Sequence, residues 1–165
     1  MSRLLAGIAL IGILLLAGCG GNSKPATPTN SPAAQEKATL EPVAGNVATD
    51  GQCQITIPDT WVDYGTGRGQ TQLGDRWTVF GGAVTGNTGW TSVVDLAKTQ
   101  LGGPESSINE TETSIVIIQP ANRGYLTRVR FDNRYCEFSV ITSADRSEDV
   151  LQTWTNVAVT LQIRV

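Results

Sequence analysis

Hydrophobic and polar residues are distributed in three different ways along the chain. Residues 4–16 form an unbroken apolar run, and residues 20–49 are polar, with four of the seven prolines and no aromatic residue. From Gln52 onward, apolar positions recur with periods of two and about 3.6 residues, which are typical of strands and helices. The pattern therefore predicts a folded domain at 52–165, preceded by two segments that lie outside it.

Within the predicted domain, the order of elements is strand, strand, helix, strand, hairpin, helix, strand. Strands are expected at 53–57, 77–85, 114–119 and 161–165, and helices at about 91–101 and 145–157. The glycine-rich stretch 65–75 is expected to be a mobile loop. Gly81-Gly82, inside a strand, predicts either a bulge or a close approach of another chain segment.

The segment 125–142 is predicted to be a β-hairpin, because Asp132-Asn133 is a two-residue turn signal that places Phe131 opposite Arg134. One face of the hairpin then carries three pairs that are expected to face the core: Val129 with Cys136, Thr127 with Phe138, and Tyr125 with Val140. The other face carries Arg128 with Glu137 and Arg130 with Tyr135, and is expected to face solvent.

Antiparallel pairing, with the helices set apart from the strands, predicts the α+β fold class. The expected architecture is an antiparallel β-sheet with helices packed on it, an α/β/α sandwich, rather than a doubly wound parallel fold.

The apolar run at 4–16 is too short to cross a bilayer as a helix, and Arg3 precedes it, as in a secretory signal. It ends in Leu16-Ala17-Gly18-Cys19, which resembles the lipobox of bacterial lipoproteins. The resemblance implies that residues 1–18 are a signal peptide and that Cys19 becomes the diacylglyceryl-modified, palmitate-bearing N-terminus of a protein on the extracytoplasmic face of a bacterial membrane. The alternatives are an uncleaved anchor, or an ordinary signal followed by a chance cysteine.

Residues 19–51 are expected to comprise the lipidated cysteine and a disordered tether, because their composition cannot bury enough apolar surface to offset chain entropy. Such a tether would hold the domain away from the membrane.

If Cys19 carries lipid, Cys53 and Cys136 are the two cysteines left. An even pair in an oxidising compartment predicts a disulfide, worth at most about 4 kcal/mol of stability in the chain-entropy model. Both residues also fall on the core faces of their strands. The alternative is two buried free thiols.

Charge and composition exclude several classes of function. Removing residues 1–18 takes away only Arg3, so the net charge moves from −3 to −4, which argues against nucleic acid as a partner. The chain has no histidine, so we expect no metal site, no cofactor and no Ser-His-Asp chemistry. We therefore expect no enzymatic activity. The alternative is a cell-envelope hydrolase that uses two facing carboxylates.

Arginines are concentrated on the predicted hairpin, at Arg123, Arg128, Arg130 and Arg134. They are the candidate docking site for an acidic protein partner, and the alternative is a solvated face paired with Glu137 and Tyr135. Trp61, beside the glycine-rich loop, is the tryptophan expected to line a pocket.

The stretch Ile55-Thr56-Ile57-Pro58-Asp59-Thr60-Trp61, together with the element order, resembles the PsbP/Mog1-like superfamily over residues 53–165. The resemblance implies an antiparallel sheet with helices on its faces and a role in photosystem or other membrane complexes, or in lipoproteins without known activity. The function expected from the sequence is therefore a lipid-anchored binding or assembly module. The alternative is an accessory subunit of a photosystem or another membrane complex.

Overall fold

The computed structural model describes residues 43–85 and 89–164, which contain ten strands and two α-helices. The strands are β1 (Asn46–Thr49), β2 (Cys53–Ile57), β3 (Val62–Asp63), β4 (Arg68–Gln70), β5 (Arg76–Ala83), β6 (Ser107–Glu110), β7 (Ser114–Ile118), β8 (Gly124–Phe131), β9 (Arg134–Ile141) and β10 (Gln162–Ile163). The helices are α1 (Gly89–Leu101) and α2 (Glu148–Ala158). Neither helix is long and apolar enough to span a membrane.

Seven strands form one antiparallel sheet in the order β3-β4-β5-β9-β8-β7-β6. The long strands β5, β8 and β9 lie at its centre, where each has a neighbour on both sides. The short strands β3 and β6 form its edges, and all their residues are exposed. An edge strand has little surface to bury, which explains why β3 and β6 carry no apolar alternation in the sequence.

A second, three-stranded antiparallel sheet has the order β1-β2-β10 and packs with α2 against one face of the large sheet. The core between them contains Trp77, Phe138 and Val140 from the large sheet, Ile55 from β2 and Trp154 from α2. All five are at most 1 % exposed, so this is the main hydrophobic core.

The predicted disulfide joins the two sheets. Cys53 of β2 and Cys136 of β9 are bonded, with their Cα atoms 5.8 Å apart. Gly81 makes this possible, because a Cβ there would lie only 2.8 Å from the Cys53 Sγ atom. The Gly81-Gly82 pair thus marks a close approach rather than a bulge, since β5 pairs with β9 in one uninterrupted register.

Helix α1 packs on the opposite face of the large sheet, over β7 and β8. Val94, Ala97 and Leu101 of α1 meet Ile115, Ile117 and Leu126 in a second core. The molecule therefore has α1 on one side of the large sheet and the small sheet with α2 on the other, and the predicted α+β fold class is confirmed.

The hairpin formed by β8 and β9 has the predicted register at every pair. Its predicted core face is also correct. However, its other face is not a solvent face: Arg128 is 0 % exposed and Glu137 is 4 % exposed, because α1 covers them. Leu126, an apolar residue on that same face, is the one signal in the hairpin sequence that this face is covered.

Two predictions about unstructured segments need correction. The tether was expected to continue to residue 51, but Asn46–Thr49 is a strand whose Ala48 is buried, so the domain begins before Gln52. The 65–75 stretch was expected to be a mobile loop, but Arg68–Gln70 forms β4 between β3 and β5. The predicted signal peptide, Cys19 and the tether up to residue 42 lie outside the described residues.

Candidate functional site

The four hairpin arginines do not form one docking patch. Arg128 is fully buried, so its assignment to a docking site is wrong. Arg123 is exposed but its Nε donates to Asp145 Oδ1 at 2.6 Å. Arg130 is exposed, and its Nε donates to the Asp132 carbonyl at 3.0 Å. Arg134 is exposed on the face of the sheet that also carries Cys136, opposite to the face of Arg130.

Arg128 instead holds α1 to the large sheet. Its Nε donates to Glu137 Oε2 at 2.5 Å, its Nη1 donates to the Val93 carbonyl of α1 at 2.5 Å, and its Nη2 donates to Gln100 Oε1. The guanidinium also lies over the ring of Tyr135, 5.5 Å from its centroid. Burial raises the pKa of Glu137 above its ordinary value, although the charge and hydrogen bond of Arg128 and a hydrogen bond from Ser139 oppose the shift.

A second largely buried ion pair lies on the side of α2. Arg146 donates from Nε to both carboxylate oxygens of Asp75, at 3.1 and 3.0 Å, and from Nη2 to Oδ1. Burial alone would raise the pKa of Asp75, but hydrogen bonds from Arg146 and Thr142 and the charge of Arg146 outweigh it, so the pKa is lowered. Thr71 Oγ1 also donates to Asp75, at 3.3 Å. The pair thus joins the turn before β5 to the loop before α2.

The two buried carboxylates therefore have structural partners. Glu137 is bound to Arg128 under α1, and Asp75 is bound to Arg146 beside α2, so neither faces the other across a cleft. Among residues 43–85 and 89–164, no group of three or more His, Cys, Asp or Glu side chains is placed to hold a metal ion.

A small groove of about 240 Å³ lies between Trp61, the turn at 71–73 and α2. Trp61 and Trp154 line it, and Leu73, 54 % exposed, stands at its rim. Trp61 thus lines a pocket, as expected. The lining residues include no charged side chain, so the groove offers apolar contact but no group that would orient a charged ligand.

An uncovered surface lies on the part of the large sheet beside α1. Helix α1 packs over β7 and β8, whereas β3, β4 and β5 carry exposed side chains on the same side. The pairings Val62 with Gln70, Gln70 with Arg76, and Arg76 with Ile141 place these residues in one row across four strands. Arg68 with Thr78 forms the next row. We name this surface the open face; it comprises Val62, Tyr64, Arg68, Arg76, Thr78 and Ile141.

Three side chains with large apolar parts are about half exposed on the open face. Val62, Tyr64 and Ile141 are 49 %, 58 % and 50 % exposed, respectively. Tyr64 is held on this side because its hydroxyl donates to Gln70 Oε1 at 2.7 Å. In the strand register, Gln70 and Arg76 lie between Val62 and Ile141, so apolar and polar side chains are mixed on this surface. Protein-binding surfaces are commonly of this mixed kind, with tyrosine and arginine enriched.

Sequence reasoning missed the open face. Its residues come from four strands, two of which the apolar pattern did not predict, and Tyr64 and Arg68 lie in or beside the stretch interpreted as a mobile loop. The exposed row becomes visible only when the strand register is known.

Comparisons with known proteins identify no family for this chain. No family model matches it, and no curated protein does. The chain is similar to the solution structure of the cyanobacterial PsbP protein, CyanoP, from Synechocystis sp. PCC 6803, with 13 % sequence identity and a TM-score of 0.45. The similarity covers 74 % of this chain and 94 % of that one. A likeness of this extent assigns neither a function nor a site residue to this chain.

Proposed function

We propose that this protein is a lipid-anchored, extracytoplasmic binding or assembly module that docks a protein partner on its open face. The observation that carries the proposal is the uncovered sheet surface beside α1, on which three side chains that are about half exposed, Val62, Tyr64 and Ile141, lie among polar and basic ones. Covering the apolar part of this surface with a partner is favourable by roughly 25 cal/mol for each Å² of apolar area buried.

The anchor follows from the sequence Leu16-Ala17-Gly18-Cys19 after a short apolar run. Two acyl chains on Cys19 are sufficient for stable membrane attachment, whereas a single chain gives marginal binding. The polar, proline-containing residues 20–42 between the anchor and the domain would let the open face reach a partner in or near the membrane.

A binding role agrees better with the buried charges than catalysis does. The hydrolase alternative requires two carboxyl groups that face each other about 5–9.5 Å apart. The two buried carboxylates, Asp75 and Glu137, are each bound to an arginine in separate parts of the domain. Their ion pairs hold helices and turns in place, which supports a structural rather than a catalytic role for these two carboxylates.

A second candidate is an accessory subunit of a photosystem or another membrane complex. It is favoured by the pattern Ile55-Thr56-Ile57-Pro58 followed by Trp61, where β2 ends before Pro58 and Trp61 is buried. This candidate is one form of the assembly role. It is tested by isolating the photosystem from a photosynthetic native host and probing it for this protein. Its presence in the isolated complex would support the accessory-subunit role, and its absence would contradict a photosystem subunit.

The docking proposal is tested by Ile141→Lys in the native host, with Val159→Lys as the matched control. Both side chains are about half exposed, at 50 % and 46 %, but Val159 follows α2 on the other side of the large sheet. After crosslinking in intact cells, we expect the wild type and Val159→Lys to migrate in a larger complex and Ile141→Lys to migrate at the monomer size. A wild type at the monomer size, or an Ile141→Lys complex of unchanged size, would refute docking on the open face.

The anchor is tested separately with Cys19→Ser. We expect the wild type to incorporate a clickable fatty acid and to sediment with membranes, and Cys19→Ser to do neither. Fatty-acid labelling that survives the substitution would exclude Cys19 as the lipidated residue.

A further inference from the structure

We infer that the partner of the open face is a protein surface with net negative charge at the point of contact. The inference rests on the proposed docking function and adds the chemistry of the partner. The supporting observation is which charged side chains lie on the open face. The strand register shows this for each residue of β3, β4, β5 and β9.

Basic residues on the open face have no exposed acid beside them in the sheet. Arg68 on β4 and Arg76 on β5 are both exposed on this face. Among the positions of β3, β4, β5 and β9 that point to the same side, Glu137 is the one acid, and it is buried against Arg128. Asp63, the acid of β3, pairs with Gly69 and faces the other way.

This basic face belongs to an acidic protein. The whole chain has a net charge of −3, so the two exposed arginines stand out against a negative background. Arg130 extends the same side of the sheet at the hairpin end, opposite Tyr135. A positive patch on a negative molecule selects a negative partner surface and repels a positive one.

The chemistry of the open face fits a protein better than a lipid surface. Tyrosine and arginine are the residues enriched in protein–protein interfaces, and the face combines Tyr64 with Arg68 and Arg76. An anionic membrane would attract the arginines but repel the rest of the acidic chain.

A second copy of this chain is a poor occupant of the same face. A two-fold contact would bring two copies of the same surface together, so one interface would hold Arg68 and Arg76 of both copies and no exposed acid from this side of β3, β4, β5 or β9. Like charges placed against each other in an interface weaken binding. The charge pattern therefore favours a different, acidic protein.

The experiment places a photo-crosslinking aromatic amino acid at Tyr64 in the native host and maps the adduct by mass spectrometry. The double variant Arg68→Glu/Arg76→Glu reverses the charge of the open face, and Arg68→Lys/Arg76→Lys preserves it. The control, Arg134→Glu/Arg164→Glu, reverses two exposed arginines away from this face. All three have the same number of substitutions, and the control has the same total charge as the reversal.

We expect the crosslink to map to a partner peptide with net negative charge. Its yield should fall on the order of tenfold or more in the open-face reversal, and should stay within about twofold of wild type in the lysine variant and the control. Raising the salt concentration during crosslinking should also lower the yield, because screening weakens the contact.

Other results would overturn the inference. They are a partner peptide that is neutral or basic, a phospholipid adduct, a crosslink to a second copy, an adduct to residues 20–42 of the same chain, or a yield that survives charge reversal. If Ile141→Lys abolishes the crosslink while the arginine reversal leaves it intact, the docking proposal stands and the acidic partner is wrong. If neither variant changes the yield, both are wrong.

Discussion

The buried pair Arg128–Glu137 makes the sharpest prediction about stability. Replacing Arg128 with methionine keeps much of the side-chain volume but leaves the Glu137 carboxylate without its counter-ion in a site where its side chain is 5 % exposed. The substitution also removes the hydrogen bonds from Arg128 to the Val93 carbonyl and to Gln100, which connect α1 to the sheet.

The expected loss of stability in Arg128→Met comes from the Glu137 carboxylate, which stays buried without a counter-ion. Removing one partner of a buried ion pair typically destabilises a protein by about 3–5 kcal/mol, because the other charge is left uncompensated. For a domain of this size, that corresponds to a lowering of Tm by roughly 10–20 °C. The double variant Arg128→Met/Glu137→Leu removes both charges, so we expect its free energy of unfolding to return to within about 1 kcal/mol of wild type.

The pH dependence of the Arg128→Met variant has a definite sign. Burial already raises the pKa of Glu137 in the wild type, and Arg128 is one of the groups that oppose this rise. Without Arg128, the folded-state pKa rises further above the unfolded value. The charged carboxylate then penalises folding at neutral pH, and the penalty shrinks as the pH falls toward the ordinary carboxyl value of about 4.5.

The assay is urea denaturation followed by tryptophan fluorescence at several pH values. Arg130→Met is the control, because Arg130 lies on the same strand and face but is exposed, and we expect it to cost less than about 0.5 kcal/mol. Two results would refute the proposal that the Arg128–Glu137 pair holds α1 to the sheet. One is a loss of unfolding free energy below about 1 kcal/mol in Arg128→Met, and the other is a double variant as unstable as the single one.

Three further predictions concern the opposite side of the sheet. Cys53→Ala/Cys136→Ala should lower the free energy of unfolding by about 2–4 kcal/mol, measured by urea denaturation, because the disulfide closes a loop across 83 positions. Asp75→Asn should cost about 2–4 kcal/mol at pH 7, since it leaves the partly buried guanidinium of Arg146 without its charge partner. The pKa of Asp75 is lowered in the fold, so this contribution is present above the unfolded value and is lost as the pH falls through the folded one. Trp61→Ala should cost about 3–5 kcal/mol, measured by thermal unfolding, because Trp61 is 8 % exposed and packs on the main core.

Each of these predictions has a contradicting result. A disulfide variant that unfolds at the wild-type urea concentration would mean that the link between the sheets contributes nothing. Equal acid sensitivity in wild type and Asp75→Asn would remove Asp75 as a source of acid unfolding. A loss below 1 kcal/mol on truncating Trp61 would place this side chain outside the core, and Leu73→Ala, at the exposed rim of the same groove, is the control expected to be nearly neutral.

Local chemistry in the sequence was sufficient to predict the hairpin and the disulfide. The two-residue turn Asp132-Asn133 determines which residues oppose each other, because a tight turn leaves a single register for the strands that it joins. Strand alternation then places Cys136 and Cys53 on buried faces, and the apolar stripe of α2 ends at Trp154 and Val157 in the core. The hairpin register and the buried faces depend on neighbours along the chain or across one turn. The disulfide pairing was predicted because Cys53 and Cys136 are the two cysteines left if Cys19 carries lipid.

Only the tertiary structure decided which surfaces are covered. The hairpin face with Arg128 and Glu137 has the composition of a solvent face, but α1 packs over it and the two charges neutralise each other in the interior. The open face, with Tyr64 and Arg68, is exposed because no described element packs over it. The physical reason is that strand periodicity shows that a strand has two faces but does not show where a distant helix will pack. Register is a local property, whereas coverage depends on contacts between segments far apart in the chain.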